Sequence, residues 1–220
     1  MARTGTSKRI VFFPKNPWPE GLGLDEFRWS GRLDAERGLF FDLHLRSESY
    51  HHLGVDDAEE TDSDWESVNV WANYGSCILS STKWGAHEGI HVADAEDPLG
   101  WNELDRWEFF VDTHTPVDDY EGRAFHIYLF GHGSVVRHRI HFAKAERGRF
   151  DLSWTAKFAL TYGGSTNLSK SLRVEAKGIA FEGFQIPSGM STASAKEALS
   201  RFVTDPSDYT LRKGRLWPRR

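Results

Sequence analysis

The sharpest chemical pattern in this chain is His87-Glu88-Gly89-Ile90-His91. Two imidazoles four residues apart, with a glutamate after the first, spell H-E-x-x-H, in which both histidines bind Zn²⁺ and the glutamate polarises a metal-bound water. On that reading zinc is the cofactor, His87 and His91 are its ligands, and Glu88 is the catalytic base. The chemistry requires a helix, because a helical turn projects residues i and i+4 from one face toward a single ion. Local composition opposes a helix here. Gly85 and Gly89 weaken one, and Ile90 and Val92 alternate as a strand would.

The pattern resembles the zincin peptidase motif, which implies a zinc-dependent hydrolase. The metzincin extension is missing, since Asp94 stands where a Gly, and Asp97 where a His, is expected. Asp112 and His114 are the candidates for a third ligand. In a strand His87 and His91 would still share a face, but without the zincin geometry.

A second set of residues is distinguished by charge. From Asp56 to Glu121 there are eighteen Asp and Glu against Lys83 and Arg106 alone, a net −16; the rest carries fourteen acids and twenty-five bases, +11, for a total of −5. Such a block repels itself but raises the rate at which cationic partners arrive. The expected binding surface is Asp56, Asp57, Glu59, Glu60, Asp62, Asp64, Trp65, Glu66 and Tyr74, with the two aromatics supplying most of the affinity. Its partner would be a basic protein, and an acidic surface is a poor match for nucleic acid. Asp62-Ser63-Asp64 suggests calcium, but counting from Asp56 or Asp62 puts neither Gly at the sixth position nor Glu at the twelfth.

A third set lies in a hairpin. Phe125, Ile127 and Leu129, then Val136, His138, Ile140 and Phe142, alternate around Gly131-His132-Gly133-Ser134. With His132-Gly133 as the turn, Leu129 faces Val136, Ile127 faces His138, and Phe125 faces Ile140. The opposite side then gathers His126, Tyr128, Arg137, Arg139 and His141 into a face able to grip an anion. His138 falls on the apolar side and is expected to be a hydrogen-bonded core histidine. Nine tryptophans suggest a carbohydrate-binding surface, but most, like Trp107 and Trp154, sit on the apolar phase of their strands.

The elements that must position these residues are mostly strands. A hydrophobic share of 39% with 14% aromatic residues excludes disorder. No apolar run approaches the ~20 residues of a membrane span. Alternation predicts strands at 9–13, 27–33, 39–46, 106–112 and 150–162, another from 172 to 181 with a bulge at Gly178, and a second hairpin, 65–71 with 76–81, about Asn73-Tyr74-Gly75. Ser194 and Glu197 form a capping-box pattern opening a helix over 194–204, and a basic tail, 205–220, docks back or frays. The expected fold is all-β: an antiparallel β-sandwich or flattened barrel of about ten strands with one short C-terminal helix, in a single domain over 1–220 whose sheet region is 9–187.

Lone Cys77 reads as a core filler and fits a reducing compartment. Ile10 to Phe13 is too short for a signal-peptide core, so a cytoplasmic location is expected. P-loop, dinucleotide, G-x-S-x-G and Cys-x-x-Cys patterns are all missing. The leading expectation is therefore a cytoplasmic protein-binding or inhibitor module, of the immunity-protein kind that neutralises a cationic toxin or enzyme. A zinc hydrolase and a carbohydrate-binding β-sandwich are the alternatives.

Overall fold

A computed structural model describes residues 8–53, 63–84, 88–117 and 122–219. Its strands are β1 (Lys8–Phe13), β2 (Leu22–Asp34), β3 (Gly38–Ser47), β4 (Ile78–Ser80), β5 (Ile90–Ala93), β6 (Glu108–Val111), β7 (His126–Tyr128), β8 (His132–Lys144), β9 (Phe150–Ala159), β10 (Lys170–Ile179), β11 (Phe181–Gln185), β12 (Tyr209–Arg212) and β13 (Arg215–Pro218). Two short α-helices, α1 (Val68–Ala72) and α2 (Thr192–Ser200), and five short 3₁₀ helices complete the regular structure among these residues.

The all-β expectation holds. Eight strands close into a ring, β2-β1-β10-β9-β8-β7-β4-β3 and back to β2, while β5, β6 and the run β11-β13-β12 attach outside it. This is a closed barrel with added strands, not a sandwich, and its β2–β11 pairing is parallel. The physical reason lies in two thirteen-residue strands, each too long for one neighbour. One edge of β2 pairs with β1 at Leu22 and Gly23, then with β11 from Trp29 to Arg32. One edge of β8 pairs with β7 at His132 and Gly133, then with β6 from His138 to His141. Strands that change neighbours along their length turn two sheets into one closed surface.

The predicted hairpin keeps its faces but not its register. Ile127 lies opposite Gly133, and Tyr128 opposite His132, so the turn is Leu129-Phe130-Gly131. Strict alternation fails at Arg137, which has φ of 55° and sits in a bulge between Val136 and Arg139 of the β8–β9 ladder. The bulge lets adjacent Val135 and Val136 both bury, and returns His138, Ile140 and Phe142 to the interior. The bulge expected at Gly178 is present, with φ of 62° and a register shift between Ala176 and Ile179.

Four other expectations change. Residues 68–72 form α1 instead of a hairpin arm: Ser67 caps it by accepting from the Val70 N–H, and buried Trp71 donates its indole N–H to the Trp65 carbonyl at 2.8 Å. Strand β9 stops at Ala159, and the Tyr162 ring, 72% exposed, crosses the β7–β8 turn at Gly131. Helix α2 is capped by Ser191, whose Oγ accepts from Ser194 N–H at 3.1 Å, and it ends at Ser200. The basic tail neither frays nor docks by charge alone: β12 and β13 form a hairpin whose second strand pairs with β11.

The β2–β3 turn depends on Gly38. Its φ is 114°, and a Cβ there would stand 1.9 Å from the Ala93 carbonyl oxygen, where β5 joins β3. Gly38→Ala is expected to cost about 2 kcal/mol through strain and a displaced β5, read as a lower urea midpoint with an unchanged m-value.

Candidate functional site

The H-E-x-x-H stretch does not form a zincin helix. Residues Ile90–Ala93 are strand β5, and His87 lies outside the described residues. The N–H groups of Glu88 and Gly89 donate to the carbonyls of Arg123 and Ala124, each at 3.2 Å. Gly89 has φ of 64°, and a Cβ there would lie 2.5 Å from the Phe41 carbonyl oxygen. The Glu88 carboxylate pairs with Arg37 at 2.9 Å. His91 has Nε2 3.0 Å from the Arg37 carbonyl oxygen, and its ring packs on Phe40 with centroids 4.9 Å apart. Among the described residues no three His, Cys, Asp or Glu side chains converge as a metal site. Gly89, which weakens a helix in sequence, is what lets this backbone press against β3.

The anion-gripping face is also dispersed, because β6 lies where β7 was expected. Arg139 Nε donates to Glu108 Oε1 at 2.5 Å, and His141 Nε2 is 2.9 Å from the Asp105 carbonyl oxygen. Lys144 pairs with Asp105 at 3.4 Å. The backbone N–H of Arg137 donates to the Asp112 carbonyl, while Tyr128 meets the His132 ring edge-on. His126 aligns with Ser80 on β4. Here the acidic block and the basic strand neutralise each other within one molecule.

His138 is a core residue, as expected. Its Nδ1 accepts from the Trp154 indole N–H at 3.0 Å, leaving the ring proton on Nε2, 3.6 Å from Asp112 Oδ2. Burial lowers the imidazole pKa to about 3 and raises that of the Asp112 carboxyl. Asp112 Oδ2 accepts from Ala124 N–H, so it pins the chain entering β7.

One arrangement had no sequence signal, because its members are far apart in the chain. Ser80 Oγ lies 3.0 Å from His44 Nδ1, and His44 Nε2 lies 3.2 Å from Glu26 Oε2. The order hydroxyl, imidazole, carboxylate is that of an acyl-transfer triad. Ser80 is fully buried, however, and its Oγ accepts from the N–H groups of Thr82 and Lys83 at 3.0 and 3.1 Å. The hydroxyl caps a turn and presents no face to a substrate.

Of the acidic surface, Asp56, Asp57, Glu59, Glu60 and Asp62 lie outside the described residues. Asp64 is exposed and Glu66 half-buried. Trp65 is not a surface anchor: it is 6% exposed, donates its indole N–H to the Pro14 carbonyl, and packs on Phe12, Trp71, Phe130 and Phe158. Tyr74 is half-buried, stacked on Phe130 with centroids 5.1 Å apart. Both aromatics tie this part of the chain to the barrel. Beside them lies a cavity of about 410 Å³ lined by Phe12, Phe13, Pro14, Lys15, Asn16, Pro19 and Glu66. Phe13, at the end of β1, is 41% exposed.

Among the described residues no helix is long and apolar enough to cross a membrane. Compared with known proteins, the chain matches no family model, no curated protein and no solved structure.

Proposed function

We propose that this protein is a binding module for a basic protein partner, of the inhibitor or immunity type, acting in the cytoplasm. The partner docks on the acidic segment from Asp56 to Glu66 and on the apolar cavity beside it. The observation that carries this reading is the juxtaposition of Glu66 with Phe13, Pro14 and Pro19 in one cavity. Apolar walls under a carboxylate suit the stem and head of a lysine or arginine side chain.

Partition of the acidic block supports the same face. Glu88, Glu103, Asp105 and Glu108 are matched by Arg37, Arg106, Lys144 and Arg139. Asp94 accepts from the N–H groups of Glu96 and Asp97 in its own turn. Asp64 closes no ion pair among the described residues, and Glu66 faces Lys170 without closing one. Asp64 and Glu66 thus leave unpaired charge next to the cavity, where it would steer encounter while the cavity sets the dissociation rate.

Co-purification from the native cell is expected to recover a basic protein whose association slows as salt is raised. Asp64→Lys with Glu66→Lys should lower the association rate about tenfold or more at low salt. Phe13→Ala should act on dissociation instead. An acidic partner, or retention indifferent to both salt and the charge reversals, would overturn the reading.

A further inference from the structure

The outer face of β2 and β3 carries a pair of cavities. Two cavities, of about 570 and 350 Å³, adjoin there and share Asp42, Thr82 and Gln185 as lining residues. Their sizes fall in the range of small-ligand sites, ~300–1,000 Å³. The alternation of β2 and β3 builds the floor: Ser30 pairs with Asp42, Arg28 with His44, and Arg32 with Phe40. The neighbours β11 and β13 add Gln185 and Arg215, which face each other in register.

Asp42 lies where the cavities meet. It is 7% exposed, and its Oδ1 accepts from Arg32 Nη1 at 2.9 Å and from Ser81 Oγ at 3.1 Å. No described residue donates to its Oδ2. A carboxylate withdrawn from water with one oxygen unmatched favours a ligand that brings donors. The Thr82 hydroxyl and the exposed Gln185 amide flank it, and Ile186 and Pro187 supply an apolar wall.

Charge around the site selects among such ligands. Arg28 pairs with Glu182, Arg32 with Asp42, and Arg37 with Glu88, while Glu26 is taken by Arg46. Lys83 and Arg215 line the smaller cavity, and among the described residues neither closes an ion pair, although Arg215 lies near enough to Asp42 to favour its charged form. The Arg215 guanidinium is held in place through Nη1, which donates to the Glu182 and Gly183 carbonyls. A cationic ligand would be repelled by these two groups. We propose that the groove binds a sugar-sized polyol bearing an anionic group, phosphate or carboxylate, with its hydroxyls on Asp42 and Gln185 and its anion on Lys83 and Arg215. Hydroxyl groups donate to the open carboxylate oxygen, the amide both donates and accepts, and the two cations supply charge-assisted bonds.

Calorimetric titration of the intact protein tests this with four probes: glucose 6-phosphate, glucuronate, glucose and inorganic phosphate. Saturable binding of at least one of the two anionic sugars is expected, with glucose and inorganic phosphate at least tenfold weaker. Which anionic sugar binds more tightly identifies the anion. Lys83→Ala should weaken binding about tenfold, and Asp42→Asn should weaken the sugar anion more than inorganic phosphate. Lys83 is exposed, and circular dichroism of its variant is expected to match the parent. Equal binding of inorganic phosphate and glucose 6-phosphate would overturn the polyol assignment. Absence of saturable binding by either anionic sugar, or binding unchanged in Lys83→Ala, would overturn the site.

Discussion

Trp29→Ala is expected to destabilise the fold by about 3–5 kcal/mol, the cost of emptying a large buried aromatic position. Trp29 is 1% exposed and lies where the added strands meet the barrel. Its ring stacks on Phe142 of β8 with centroids 4.4 Å apart and on Trp101 at 5.8 Å, and it meets Phe150 and Phe181 at 5.3 and 4.9 Å. One side chain therefore touches rings from β8, β9 and β11. A domain of this kind has only ~5–15 kcal/mol in total, so the variant should melt early or populate a loosely packed state. Trp29→Phe separates packing from hydrogen bonding. The buried Trp29 Nε1 has no partner among the described residues, so phenylalanine removes a desolvated donor along with some volume. Its effect should be less than half that of alanine. Urea unfolding followed by circular dichroism reads both, and a Phe variant as damaged as the Ala variant would show that the indole N–H has a partner.

The second expected result is an acid-sensitive stability that traces to His138. The buried imidazole has a pKa of about 3, against 6.5 for the free side chain. Between those values the unfolded chain binds a proton that the folded chain refuses, so the unfolded state gains as pH falls. The contribution is fully present above pH 6.5 and is lost toward pH 3, at about 1.4 kcal/mol per pH unit. Asp112 and Asp42, whose carboxyl pKa values are raised by burial, act in the opposite sense and offset part of the loss. His138→Gln keeps an acceptor for the Trp154 indole N–H while removing the titration. From pH 7 to pH 4.5 the parent should lose about 2 kcal/mol more than the variant. Parallel stability curves for the two proteins would show that His138 does not set the acid limb.

His138 also shows how much the sequence can carry. Its place in the apolar phase of Val136, Ile140 and Phe142 is legible by alternation, which reports the face and not the partner strand. The hairpin register was missed at its turn, which is Leu129-Phe130-Gly131, and alternation then broke at Arg137, where a left-handed residue inserts a bulge into the β8–β9 ladder. The region from Trp65 to Trp71 was read as a hairpin arm because Asn73-Tyr74-Gly75 after it reads as a turn. It became helix α1 because Ser67 caps it and because the Trp71 N–H finds the Trp65 carbonyl inside the core. At Arg137 a long-range contact, its N–H on the Asp112 carbonyl, overrode alternation, whereas α1 was set by a local cap and a nearby buried hydrogen bond.

The charge asymmetry was fully legible, and its meaning was not. Composition alone gives −16 against +11. Only the insertion of β6 beside β8 decides that Glu108 meets Arg139 and Asp105 meets Lys144, while Asp64 and Glu66, like Glu96 and Asp97, close no ion pair among the described residues. Likewise Ser80, His44 and Glu26 are brought together by β4 pairing with β3 and β3 with β2.

By itself the sequence determined the all-β class, the inward faces of most strands and the bulge at Gly178, because each follows from side-chain periodicity and glycine's tolerance of positive φ. Tertiary structure alone decided that the sheets close into a barrel, that Ile90 and His91 of the H-E-x-x-H pattern lie on β5, and that Asp42, Lys83 and Arg215 border one groove. Those outcomes depend on which strands become neighbours. Strand neighbours are chosen by the summed burial of a whole core, to which no single stretch of residues contributes enough to be read alone.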